Sequence, residues 1–197
     1  MSFGKVIITM AGGLFLAVLV VGGCFYNGYN NAVGLDESVK SAWAEVDNQL
    51  QRRFELIPNL VGTVKGLAGQ EKDIFLGVAE ARKSYFQANS VGEKAKAAGT
   101  FESALSRLLV LRETYPELKS NEAFLKLQDS VEGTENRLAV ARKRYNEVVK
   151  SLNVFTRKLL GGIYASWAKV EAAEYFNVPD EAKTTPKIDF GSKPEGG

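Results

Sequence analysis

Acidic side chains are the groups in this chain with the most catalytic potential, because two carboxylates alone can cleave a glycosidic bond, one as acid and one as nucleophile or base. Glu113, Glu117, Glu122 and Glu132 alternate with Lys and Arg, however, in the manner of solvated helix faces. No Gly-rich phosphate loop follows a strand pattern. The 197 residues include no His and one Cys. That excludes His-based triads, His- or Cys-ligated zinc, Glu-x-x-His metal pairs and an internal disulfide. A carboxylate-based hydrolase using Glu135 and Glu113 is the remote reading. The main expectation is no catalytic, cofactor-binding or metal site and no small-molecule substrate.

Two other groups carry potential chemistry. Val21-Gly22-Gly23-Cys24 resembles a relaxed lipobox, in which the thiol of Cys24 would be lipidated after cleavage. Against cleavage, Lys5 is the only charge ahead of the apolar run, which continues through Phe25 and Tyr26. A retained helix is therefore the favoured reading and a lipoprotein the alternative. The basic run Arg142-Lys143-Arg144, with Arg137 and Lys150 nearby, is distributed around a helix and flanked by acids. It reads as solvated surface. Beyond residue 30 the chain holds 24 basic and 23 acidic side chains, so bulk charge attracts no nucleic acid.

These groups must be positioned by helices. Residues 1–5 form a short tail, and residues 6–26 are uncharged. At about 1.5 Å per residue that run matches a hydrocarbon core of roughly 30 Å, the length of a transmembrane anchor. Lys5 precedes the run, whereas Asp36 and Glu37 come before Lys40 on the far side. Positive-inside bias then places the N-terminus in the cytoplasm and the domain outside. Residues 27–31 are polar and contain Gly28, a juxtamembrane hinge with Tyr26 and Tyr29 in the interfacial belt.

The domain is expected over residues 32–178. Val39, Trp43, Val46, Leu50, Arg53, Ile57, Leu60, Val64 and Leu67 recur at spacings of four and three, a helix seam that Pro58 should kink or break. A second helix spans about Glu71 to Phe86. Ser90 and Glu93 have capping-box spacing ahead of a third, which ends at Tyr115-Pro116. The last long helix is expected from Pro116 to about Leu160, with a heptad seam of Phe124, Gln128, Val131, Glu135, Leu138, Arg142, Tyr145, Val149 and Leu152. Gly161-Gly162 should break it, leaving a short amphipathic piece from Ile163 to Phe176. The stripe of Tyr164, Trp167 and Phe176 reads as a lid on the bundle core rather than a membrane-surface helix. Residues 179–197 form an extended or disordered tail. The fold class is all-α: a transmembrane helix, an antiparallel four-helix bundle of two long and two shorter helices, and a short C-terminal amphipathic helix. Within the seams, Arg53 is expected to pair with Glu135 from the facing helix, since Arg142 lies two turns from Glu135 on the same face.

Tyr29-Asn30, the string Gln51-Arg52-Arg53-Phe54-Glu55-Leu56-Ile57-Pro58-Asn59-Leu60-Val61, Tyr115-Pro116-Glu117-Leu118, Thr134-Glu135-Asn136-Arg137, Ala141-Arg142, Tyr145-Asn146 and the tail from Pro186 to Phe190 together resemble the LemA family. The resemblance implies a bacterial membrane protein with one N-terminal anchor and a four-helix-bundle domain, without enzymatic activity. It carries over Arg53, Pro58, Asn59, Glu135, Asn136, Arg142, Tyr145 and Asn146 as structural motif positions. Related proteins of magnetotactic bacteria are linked to membrane remodelling, which suggests scaffolding. Lipoprotein-like members place the Cys closer to the Tyr-Asn pair than Cys24 stands to Tyr29-Asn30, a spacing that favours the retained helix. The expected partners are membrane lipid and a second copy or another membrane protein. Lipid binding with membrane remodelling is the alternative function.

Overall fold

A computed structural model describes residues 3–177, and all regular structure among them is helical. Six helices follow in chain order: α1 (Phe3–Leu67), α2 (Lys72–Gln87), α3 (Val91–Thr114), α4 (Pro116–Lys119), α5 (Glu122–Arg157) and α6 (Leu159–Trp167). The N-terminal part of α1 is long and apolar enough to cross a membrane, and none of that stretch is buried by protein. The tail expected over 179–197 lies outside the described residues.

Helix α1 runs unbroken through two places where the sequence suggested otherwise. Residues 27–31, expected as a hinge, are helical, and so is the backbone through Pro58. Proline deletes one N–H, the donor to the carbonyl four residues back. Continuity on either side is held by packing: Phe54, Ile57 and Leu60 are buried, while Pro58 and Asn59 face solvent. Burial of each such large apolar side chain contributes about 1.5–3 kcal/mol, which offsets a single missing bond.

The chain divides into two compact units, each crossed by both α1 and α5. In the unit formed by residues 49–138, Phe54 of α1 stacks on Tyr85 of α2 and Phe101 of α3 at ring separations of 4.5 and 4.4 Å. Arg112 of α3 donates to Gln128 of α5 at 2.9 Å. The start of α3 carries the expected capping box. Ser90 Oγ accepts from Glu93 N–H, and the Glu93 carboxylate accepts from the N–H groups of Asn89 and Ser90. The long helix expected from Pro116 is instead divided. Pro116 opens the single turn α4, which buries Leu118, and Asn121 Oδ1 accepts from Phe124 N–H at 3.0 Å to start α5 afresh. A side chain that satisfies an otherwise orphan donor competes with helix continuation there.

In the unit formed by residues 1–48 and 139–175, the break at the end of α5 falls at Lys158 rather than at Gly161-Gly162, and both glycines lie inside α6. A Cβ at Gly161 would overlap the carbonyl oxygen of Phe155, and one at Gly162 would stand 2.9 Å from that of Thr156. The glycines therefore permit α6 to fold tightly onto the last turn of α5. The helix expected to reach Phe176 stops at Trp167. Lys169 adopts φ 54°, Val170 N–H bonds to Ala165 C=O and Lys169 N–H to Ser166 C=O. This is a Schellman ending with lysine where glycine is usual, and the chain continues beyond it without regular structure to residue 177.

Candidate functional site

The carboxylates that could do chemistry do not converge. Glu113 is exposed and takes Lys119 Nζ at 3.0 Å and Arg112 at 3.6 Å, so the lysine hydrogen bond holds its carboxyl below the usual range. Glu122 pairs with Lys126 at 2.6 Å, and Glu132 accepts from Gln128 at 3.0 Å. The open groove between α2 and α3 is lined by Ser84, Asn89, Glu93 and Lys96. Its one acid is the capping carboxylate, held below its ordinary value by the backbone N–H groups of Asn89 and Ser90. Among the described residues no group of three or more Asp, Glu or Cys side chains is arranged to hold a metal ion.

Other charges are organised for packing. Arg53 arrives on the buried seam of α1 with 5% of its surface exposed, and its Nη1 donates to Glu135 Oε2 of α5, 82 residues away in sequence. The Glu135 side chain is 34% exposed, so the guanidinium is the more deeply buried partner. Such asymmetry makes the cation dependent on the acid more than the reverse. Asn136 is exposed beside Glu135, and Arg142 and Asn146 are half-buried further along α5. Pro58 and Asn59 stand on the exposed face, where the Asn59 carbonyl accepts from the Thr63 hydroxyl at 3.0 Å. Within residues 49–138 the motif positions therefore divide between a buried or half-buried ion pair, Arg53 and Glu135, and exposed positions, Pro58, Asn59 and Asn136.

Tyr145 has a different task. It is buried, its ring meets Trp43 edge-on at 5.4 Å, and its hydroxyl donates to the Glu174 carbonyl at 2.7 Å. Burial, then the charge of Glu174, push its phenol up to about 12. Just over two helical turns further on, Asn153 clamps the same returning stretch of chain: its Nδ2 donates to Ala173 O and its Oδ1 accepts from Ala173 N–H, both at 2.9 Å. Sequence reading passed over Asn153. Its signal was a short amide four residues after Val149, on the apolar face, where a polar group requires a fixed partner.

The aromatic stripe does not lid the bundle core as a group. Phe176 is buried, but Tyr164 and Trp167 turn edge-on to Phe25 of α1 at 5.6 and 5.4 Å, and Trp167 remains 70% exposed. A Cβ on Gly28 would overlap the Tyr164 ring, so glycine at that position admits the ring against the α1 backbone. Cys24 is exposed one residue before Phe25.

The model of the LemA family matches residues 42–190, which takes in the Arg53, Glu135 and Tyr145 positions just described. The chain belongs to the LemA family. It is 25% identical over 174 residues to the magnetosome proteins MamQ 1 and MamQ 2 of Paramagnetospirillum magneticum, an alignment covering 75% of this chain and 64% of each relative. The chain thus spans somewhat under two thirds of the length of those relatives. Magnetosome protein MamQ of Magnetospirillum gryphiswaldense is 25% identical over 189 residues, covering 81% of this chain and 70% of that protein. LemA membership and the membrane-length N-terminal helix are consistent with a bacterial membrane-associated protein of single-pass topology.

Proposed function

We propose that this LemA-family chain is a membrane-tethered scaffold that self-associates or organises partner proteins beside the bilayer. One observation carries the reading: the apolar anchor and the ionic seam of the bundle belong to one continuous helix, α1, with no break across residues 27–31. A tether without a loose linker holds the domain near the membrane and raises the effective concentration of neighbouring copies. The bundle is an antiparallel four-helix arrangement in which α1 and α5 supply the long helices and α2 and α3 the shorter ones. Its domain faces outward and its N-terminus inward, with the anchor retained rather than cleaved at Cys24. Similarity to magnetosome proteins supports an organising role at a membrane.

Mild-detergent extraction followed by mass measurement and cross-linking tests the scaffold directly. A discrete homo-oligomer or a defined hetero-complex is the expected outcome. A monomer that cross-links to nothing at native abundance overturns the reading. Mass spectrometry of the N-terminus distinguishes Met1 from lipidated Cys24, and cleavage there would replace the helical anchor by a lipid one.

A further inference from the structure

Helix α6 is uncharged from Leu159 to Trp167, yet its largest side chains are left uncovered. Leu159 is 86% exposed, Leu160 61% and Ile163 48%, and with Trp167 they fall at helical spacings that gather them on one stripe. The opposite face is occupied: Gly161 and Ala165 are buried and Tyr164 lies over Gly28. A contiguous apolar face of this kind marks contact with something apolar.

What covers it follows from where it sits. The rings of Tyr164 and Trp167 touch Phe25, in the last turn of the uncharged run 6–26. A helix of that length fills a hydrocarbon core of roughly 30 Å, so Phe25 stands at its boundary with the headgroups. If the chain is instead anchored through a lipid on Cys24, Phe25 is still at the same boundary. The stripe is also held in place from the protein side. The Schellman ending and the Asn153 clamp fix the chain leaving α6, and the close approach at Gly161 fixes the chain entering it. Exposed Arg157 and Lys158 precede α6 and exposed Lys169 follows it, lengths of side chain that reach lipid phosphates while Trp167 occupies the interfacial belt. Exposed Glu171 and Glu174 lie beyond Lys169, so apolar burial rather than net charge supplies the attraction.

We propose that α6 is a second membrane-contact element, an interfacial helix that rests Leu159, Leu160, Ile163 and Trp167 in the leaflet through which α1 leaves the bilayer. The inference concerns the lipid contact of this unit and stands whether or not the chain forms an oligomer.

The test uses the full chain in phosphatidylcholine vesicles. The protein has two tryptophans, so Trp43→Phe leaves Trp167 as sole reporter and Trp167→Phe leaves Trp43. Trp167 emission is expected to be blue-shifted, quenched by lipids brominated near the headgroup end of their chains and shielded from aqueous iodide, with Trp43 unaffected by the bromines. Iodide quenching without bromine quenching overturns the proposal. Quenching by neither also overturns it and points to a second copy covering the stripe. Because Trp43 packs on Tyr145, a nitroxide at Leu159→Cys in a Cys24→Ala background supplies a second measurement that leaves that contact intact. Relaxation by oxygen above that by a water-soluble nickel chelate is expected, and the reverse order refutes the lipid contact.

Discussion

Removing the acid of the Arg53–Glu135 pair should harm the protein more than removing the base. Glu135→Leu strands a guanidinium that is 5% exposed. Leaving a buried charge uncompensated costs about 3–5 kcal/mol. Arg53→Met keeps most of the aliphatic stem that packs in the seam and leaves a carboxylate that is one-third exposed and can rehydrate. Discounting a charged hydrogen bond of about 1.5–3 kcal/mol for that solvation gives about 1–2 kcal/mol. The double substitution removes both charges and should cost little more than Arg53→Met alone, so the second change partly rescues the first. In urea titrations of the full chain in mild detergent, followed by far-ultraviolet circular dichroism, a slope of about 2 kcal/mol per molar turns these losses into midpoint shifts of roughly 1.5–2.5 M for Glu135→Leu and 0.5–1 M for Arg53→Met. Strictly additive losses would show that the two side chains do not depend on one another. An unshifted midpoint for Glu135→Leu would place Arg53 in water and end the argument.

Tyr145 predicts an alkaline transition: its phenol stands above the unfolded value of about 10, so its stabilising contribution is complete below about pH 10 and is lost as pH rises toward 12. Tyr145→Phe should flatten that segment of the pH–stability curve and cost about 1 kcal/mol near neutrality through the lost bond to Glu174, both read from urea midpoints. Gly161→Ala drives a methyl into the Phe155 carbonyl and should cost about 1–3 kcal/mol, with faster amide exchange across Leu159–Trp167. Ser90→Ala removes the acceptor for Glu93 N–H and should cost about 1 kcal/mol, with fraying confined to the first turn of α3 in hydrogen exchange.

Much of this molecule is written in one dimension. The absence of imidazole removed most catalytic chemistry, and an uncharged run of bilayer length identified the anchor. The spacing of Val46, Leu50, Arg53, Ile57 and Leu60 marked the buried face of α1, because a helix repeats every 3.6 residues whatever it packs against. The capping box at Ser90 and Glu93 was equally legible, since every atom involved lies within a few residues. Periodicity reports which face is hidden and says nothing of what hides it. Only the tertiary structure could decide that Asn153 and Tyr145 hold a stretch of chain some twenty to thirty residues further on, and that Gly28 receives the ring of Tyr164. Tyr164 and Trp167 looked like core aromatics because composition cannot say which segment an aromatic ring packs against. Here that segment is the end of the anchor, at Phe25, and proximity between residues 139 positions apart is a property of the folded chain.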